Sequence, residues 1–137
     1  MKRKKQPVTP LTPEQKLARS QKRKANMLAT ELTKQAFLQL LKNNNIPAPQ
    51  TEVLFAQPRK FRADYFWRYN GIALMLELQG GVECNVRSGH NSISGMKRDR
   101  EKLNIASSLY IFTLQVSYEE LIAPETITRI KQILKLS

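Results

Sequence analysis

Asp64 and Glu77 are the residues of this sequence best placed to do chemistry, because Asn70-Gly71 lies midway between them. Asn-Gly between two strand-like runs, residues 61–69 and 72–79, predicts a hairpin with a two-residue type I′ turn, which needs positive φ at both positions. Counting outward from that turn, Tyr69 faces Ile72 and Asp64 faces Glu77. Side chains so opposed have Cβ atoms about 4.5–5.5 Å apart, and two like charges at that range repel. A divalent cation between them relieves the repulsion. Magnesium takes one or two carboxylates and completes its shell with water and phosphate oxygens. Beside a phosphodiester such an ion activates water and offsets the charge building on phosphate. A salt bridge to Arg62, Arg68 or Lys102 relieves the repulsion too, and a register slip of one residue puts the acids on opposite faces.

The rest of the chain must hold this hairpin. Alternation places Ile72, Leu74, Leu76 and Leu78 on one face with Ala63, Tyr65, Trp67 and Tyr69, which makes a core face. Tyr65, Trp67 and Tyr69 therefore read as packing rather than as platforms for bases. The other face carries Asp64, Glu77 and, two residues on, Gln79. Upstream, Thr12-Pro13-Glu14 marks a helix start, with a capping hydroxyl, proline at the first helical position and an early acid. Leu28, Leu32, Phe37, Leu38, Leu40 and Leu41 recur at helical spacing until Asn43-Asn44-Asn45, Pro47 and Pro49 end the pattern. Residues 82–94 read as a polar loop, 96–107 as a helix, 109–116 as a strand and 124–136 as a closing helix. The order helix, hairpin, helix, strand, helix is that of a mixed α/β protein.

Composition bounds the partners. The 137 residues allow one domain and a tail. The net charge is +12, from 23 basic and 11 acidic residues, so the chain attracts polyanions, nucleic acid first and anionic membrane next. Residues 1–26 hold nine of the basic residues, Lys2, Arg3, Lys4, Lys5, Lys16, Arg19, Lys22, Arg23 and Lys24, against Glu14 alone. Residues 1–26 read as a disordered basic N-terminal arm, its first dozen residues broken by proline; residues 27–137 form the domain. No apolar run approaches the ~18 residues of a membrane span, and no apolar stretch follows the first lysines as in a secretory signal. The single cysteine, Cys84, excludes an internal disulfide and suits a reducing cytosol, while the basic arm suits a nuclear location if the source is eukaryotic.

Asp64 followed at hairpin distance by Glu77-Leu78-Gln79 resembles the PD-(D/E)XK nuclease superfamily, and in particular its small phage- and prophage-type members. Arg59-Lys60-Phe61-Arg62-Ala63-Asp64-Tyr65 looks like their "RKWRFDF" lead-in, and Glu77-Leu78-Gln79-Gly80-Gly81 like their "E-x-(D/E)-G-G". Gly89-His90, then Gly95, Asp99, Lys102, Asn104 and Ala106, resemble their loop and following helix. Glu31, Phe37 and Ile46-Pro47-Ala48-Pro49 resemble the first helix and its exit. The likeness covers roughly residues 28–116. It departs at Gln79, where lysine is usual, at Ser107-Ser108-Leu109-Tyr110, where a Gly-Trp pair is usual, and at Val82-Glu83-Cys84, where an aromatic is usual.

The resemblance implies a restriction-endonuclease-like core and magnesium, with manganese as a substitute, held by Asp64 and Glu77. It makes Gln79, Lys102 and His90 the further catalytic candidates. Lys102 stands in for the missing lysine from a helix face shared with Asp99 and Ala106; the alternative is an ordinary surface pair with Asp99. His90 is placed to donate to phosphate or act as general acid, against the commoner solvated loop histidine. Glu31 is an additional acid or a plain surface residue. Arg59, Lys60, Arg62, Lys97, Arg98 and Arg100, with Lys2, Arg3, Lys4 and Lys5 of the arm, are the candidate DNA contacts, gripping phosphates without reading bases. The expected activity is magnesium-dependent hydrolysis of DNA phosphodiester bonds, with branched DNA and a Holliday-junction resolvase as one form. A junction resolvase needs two active sites, so a homodimer is compatible with it. Two other classes fit the charge: a non-catalytic nucleic-acid-binding protein on a nuclease fold, and an RNA-binding, ribosome-associated protein.

Overall fold

The computed structural model describes residues 7–80 and 93–137. The chain divides into a unit ending at Leu32 and a unit of Thr33–Ser137. Helix α1 (Pro13–Asn43) starts where the capping residues predict. The Thr12 hydroxyl accepts from the Gln15 N–H at 3.2 Å, and the Gln15 side chain accepts from the Thr12 N–H at 3.0 Å. This reciprocal cap satisfies two of the orphan donors at the helix start. Residues 13–26, expected to belong to a disordered arm, are helical instead, which their Ala, Lys, Arg, Gln and Leu content favours. The helix ends on Asn45 at φ 57, with the Ile46 N–H donating back to the Leu41 carbonyl at 2.9 Å, a left-handed cap.

Four strands follow in one sheet: β1 (Gln50–Leu54), β2 (Arg62–Tyr69), β3 (Ile72–Leu78) and β4 (Ile111–Val116), side by side in that order. Neighbours β1–β2 and β2–β3 are antiparallel, while β3–β4 is parallel. A parallel pair needs a crossover, and α2 (Ile93–Ser108) lies in that connection, with α3 (Tyr118–Leu121) and α4 (Pro124–Ile133) closing the chain. The hairpin has the expected register, from Tyr69↔Ile72 to Tyr65↔Leu76, and Asn70 and Gly71 sit at φ 48 and 77. Strand β1 and helix α3 have no counterpart in the sequence reading. The first is a five-residue strand whose first three residues are polar and which follows two prolines, and the second is a single turn.

Both faces of the sheet are covered. Tyr65, Trp67, Leu74 and Leu76 pack with Phe37 and Leu41 of α1 and Leu121, Ile127, Ile130 and Leu134 near the C-terminus. The Trp67 indole N–H donates to the Pro47 carbonyl at 2.7 Å, which ties the segment after α1 to β2. The other face is apolar as well: Phe66, Ala73, Met75 and Ile111 pack on Ala106 of α2. Ala63 belongs to this second cluster rather than to the first, as alternation alone predicts; its partner is Val53, on the strand that the sequence reading lacks.

Only part of the leucine pattern of α1 is core. Phe37 and Leu41 are buried and Leu40 packs against the same cluster, while Leu28, Leu32 and Leu38 are exposed. Leu74→Ala therefore lowers stability by about 2–5 kcal/mol, the usual range for a buried leucine. Leu28→Ala changes it by no more than about 0.5 kcal/mol. Denaturant unfolding of the two variants checks the contrast; equal losses would show that both leucines are core.

Candidate active site

The last paired position of the hairpin is Tyr65↔Leu76, and one step further from the turn stand Asp64 and Glu77. There the ladder gives way to side chains. The Leu78 N–H donates to Asp64 Oδ2 at 2.8 Å, so the carboxylate takes up a main-chain donor at the end of the strand pair. Glu77 is 9% exposed. Its Oε2 accepts from Lys102 Nζ at 2.6 Å, and the same ammonium donates to the Arg62 carbonyl at 2.6 Å. Its Oε1 is buried and has no hydrogen-bond partner.

Lys102 reaches the acids because of how α2 sits. Ala106, one turn further along, is fully buried in the second cluster, and residues four apart share a helix face. Of the cations proposed to neutralise the acids, Lys102 is the one paired with Glu77. Arg62 contributes its carbonyl, and the Arg68 guanidinium lies over the Phe66 ring, 5.2 Å from its centre.

Beside the pair opens a cleft of about 570 Å³ lined by Arg59, Lys60, Arg62, Arg98 and Lys102, with Pro58, Phe61 and Asp99. Arg59 is held on two sides, its guanidinium 2.8 Å from the Glu101 carboxylate and 4.9 Å from the centre of the Phe61 ring. Lys97 and Arg100 line a separate depression with Glu101, Asn104, Ile105 and Ser108. The structure thus gathers four of the six candidate contacts of the domain into one cleft and sets two elsewhere. Gln79 is exposed just past β3, and its main-chain N–H donates to the Val116 carbonyl at 2.8 Å. Glu31 is an exposed residue of α1 within the first unit. His90, Cys84 and Lys2, Arg3, Lys4 and Lys5 lie outside the described residues.

Three contributors escaped the sequence reading: Glu101 and the Phe61 ring, which fix Arg59, and the Arg62 carbonyl, which holds Lys102. Glu101 carries no local signal, because its partner is Arg59, distant in sequence. Alternation offered one faint sign for Phe61, since it precedes β2 among basic residues.

Burial pushes the Glu77 carboxyl above the usual 4.5, and the neighbouring charge of Asp64 adds to the rise; the hydrogen bond and charge of Lys102 and, more weakly, the Asp64 main-chain N–H act against it. The donor set fits a hard divalent cation. Two adjacent carboxylates are what magnesium commonly takes from a protein, and the unpartnered Glu77 Oε1 is a buried oxygen with a lone pair to offer. Among the described residues there is no cluster of three or more Asp, Glu, His or Cys, so water and substrate oxygens have to complete such a shell. Compared with protein-family models, curated proteins and solved structures, the chain matches none. Among the described residues, no helix is long and apolar enough to cross a membrane.

Because the folded state binds the Glu77 proton more tightly than the unfolded chain does, the stability that Glu77 contributes relative to glutamine is greatest in acid and declines as pH rises from 4.5 through its elevated value. Melting temperatures of wild type and Glu77→Gln across that window check this: the wild type loses ground to the variant with rising pH. A difference that does not vary with pH would contradict the assignment.

Proposed function

We propose that the protein is a magnesium-dependent endonuclease of PD-(D/E)XK type acting on DNA. The observation that carries the reading is the pair Asp64 and Glu77 at the open end of one hairpin, with an unsatisfied Glu77 oxygen, next to a basic cleft. The order of helix, three strands, helix and a fourth strand parallel to the third supports a restriction-endonuclease-like core.

Asp64 and Glu77 are the residues that would hold magnesium, which when bound supplies an activated water and stabilisation of the charge on phosphate. Arg59, Lys60, Arg62 and Arg98 hold the backbone of the strand to be cut; phosphate contacts position DNA without specifying sequence. Lys102 is already bonded to Glu77 and lies in the wall of the cleft. From there its ammonium offers the charge that Gln79 cannot, as a preset donor to a phosphate oxygen.

Gln79 in the place of the usual lysine favours a second reading, a DNA-binding protein that keeps the scaffold without the activity. One experiment separates the two. Labelled duplex, single-stranded and four-way-junction DNA are incubated with magnesium, manganese or EDTA and with wild type, Asp64→Ala or Lys102→Met. The nuclease reading expects metal-dependent cutting, reduced to background in Asp64→Ala and by about 10²–10³-fold in Lys102→Met. It also expects magnesium to raise the melting temperature of wild type but not of Asp64→Ala, as for any ligand bound only by the folded state. Tight, salt-sensitive binding with no cutting under either metal leaves the DNA-binding reading.

A further inference from the structure

Among the described residues β1 and β4 are the two edges of the sheet, and they are defended very differently. An edge strand presents unpaired N–H and C=O groups, and proteins blunt such edges with charge, proline or irregular backbone. Strand β1 has all three: Pro47 and Pro49 precede it, and Glu52 within it adopts φ 52. Strand β4 has none. Residues 103–118 contain no charged side chain, in a chain where charged residues make up 25%. The edge is apolar and open to solvent, with Leu109 50%, Tyr110 88% and Phe112 56% exposed. Tyr110 is held at φ 57, a conformation uncommon for a bulky side chain.

The direction of the free groups follows from the ladder. Val116 accepts from the Gln79 N–H, so its main chain turns toward β3. Alternation turns Leu114 and Phe112 the same way, and Ile111, Thr113 and Gln115 outward. We propose that this edge joins a second copy of the chain, the two β4 strands pairing antiparallel about a two-fold axis at Thr113. Thr113 then meets Thr113 of the partner subunit, and Ile111 meets Gln115 of the partner subunit. All three outward-facing residues are satisfied, by about six ladder hydrogen bonds. Phe112 falls beside Leu114 of the partner subunit in a non-hydrogen-bonded pair, where side chains approach most closely.

Charge selects the occupant. Two copies at +12 each repel over most of their surfaces and come together at least cost where neither is charged. Nucleic acid is drawn instead to the basic cleft. A single strand edge that pairs with itself is also the self-complementary patch that a two-fold dimer needs. The inference stands on the sheet edge and is independent of the carboxylate site.

Sedimentation equilibrium of the full chain is expected to give twice the 15.8 kDa chain mass. Phe112→Lys, at an exposed position, keeps the circular dichroism spectrum and weakens the dimer at least about tenfold by setting a charge in a desolvated pair. In a Cys84→Ser background, Thr113→Cys forms a disulfide-linked dimer under mild oxidation, because opposed residues of a hydrogen-bonded pair have Cα atoms about 5.5 Å apart. Thr51→Cys, on the β1 edge, does not. A wild type that stays monomeric at every concentration, a dimer indifferent to Phe112→Lys, or a dimer in which Thr113→Cys fails to crosslink would each overturn the proposal. DNA cleavage is read separately, so a monomeric nuclease and an inactive dimer are distinct results.

Discussion

Asp64 and Glu77 can stand side by side because two consecutive residues, Asn70 and Gly71, accept positive φ. That turn sets the register of β2 against β3, and everything at the open end of the hairpin inherits it. A longer or shorter loop would shift the pairing and move a carboxylate to the opposite face. The same register aligns Tyr65 and Trp67 with Leu76 and Leu74, so the packing of the first core cluster and the placement of the acids are one constraint seen at two ends. Slipping the strands would cost the core as well as the site, and this coupling holds the acids together despite their repulsion.

Helix α2 serves both sides of that arrangement. It buries Ala106 on the sheet and, one turn earlier, delivers Lys102 to Glu77. A buried carboxylate without a counter-charge is costly, and one hydrogen-bonded cation offsets much of that cost. The offset is partial here: desolvation still raises the Glu77 pKa, and one oxygen has no donor. Such a half-satisfied group stands out against the general rule that buried polar atoms are paired. It is the physical reason for reading the pair as a site rather than as a structural ion pair.

Charge is distributed along the same lines. Two cations of the cleft are engaged by other groups, Arg59 by Glu101 and Phe61, Lys102 by Glu77 and the Arg62 carbonyl. Cations held in place lose less freedom on meeting a phosphate than freely moving ones do. On β4, the edge strand beside the one that carries Glu77, the pattern reverses, and the strand with its flanks carries no charge at all. A chain this basic thus separates a cleft lined by cations from an uncharged sheet edge.

Features governed by neighbours in sequence were legible without the fold. The turn, the hairpin register, the cap at Thr12, the break after Asn43 and the helix bearing Lys102 all depend on local backbone preference and periodicity, which act within a few residues. What depended on distant partners was not. Periodicity marks which side chains are apolar but not which of them find a partner, so Leu28 and Leu32 looked like core and are exposed. Strand β1 opens with three polar residues after two prolines, and pairs because β2 offers it a ladder. The unsatisfied oxygen of Glu77, the anchoring of Arg59 by Glu101 and the separation of Lys97 and Arg100 from the cleft arise from burial and approach in three dimensions. Those quantities belong to the packed chain, because desolvation and side-chain contact have no value until segments far apart in sequence have come together.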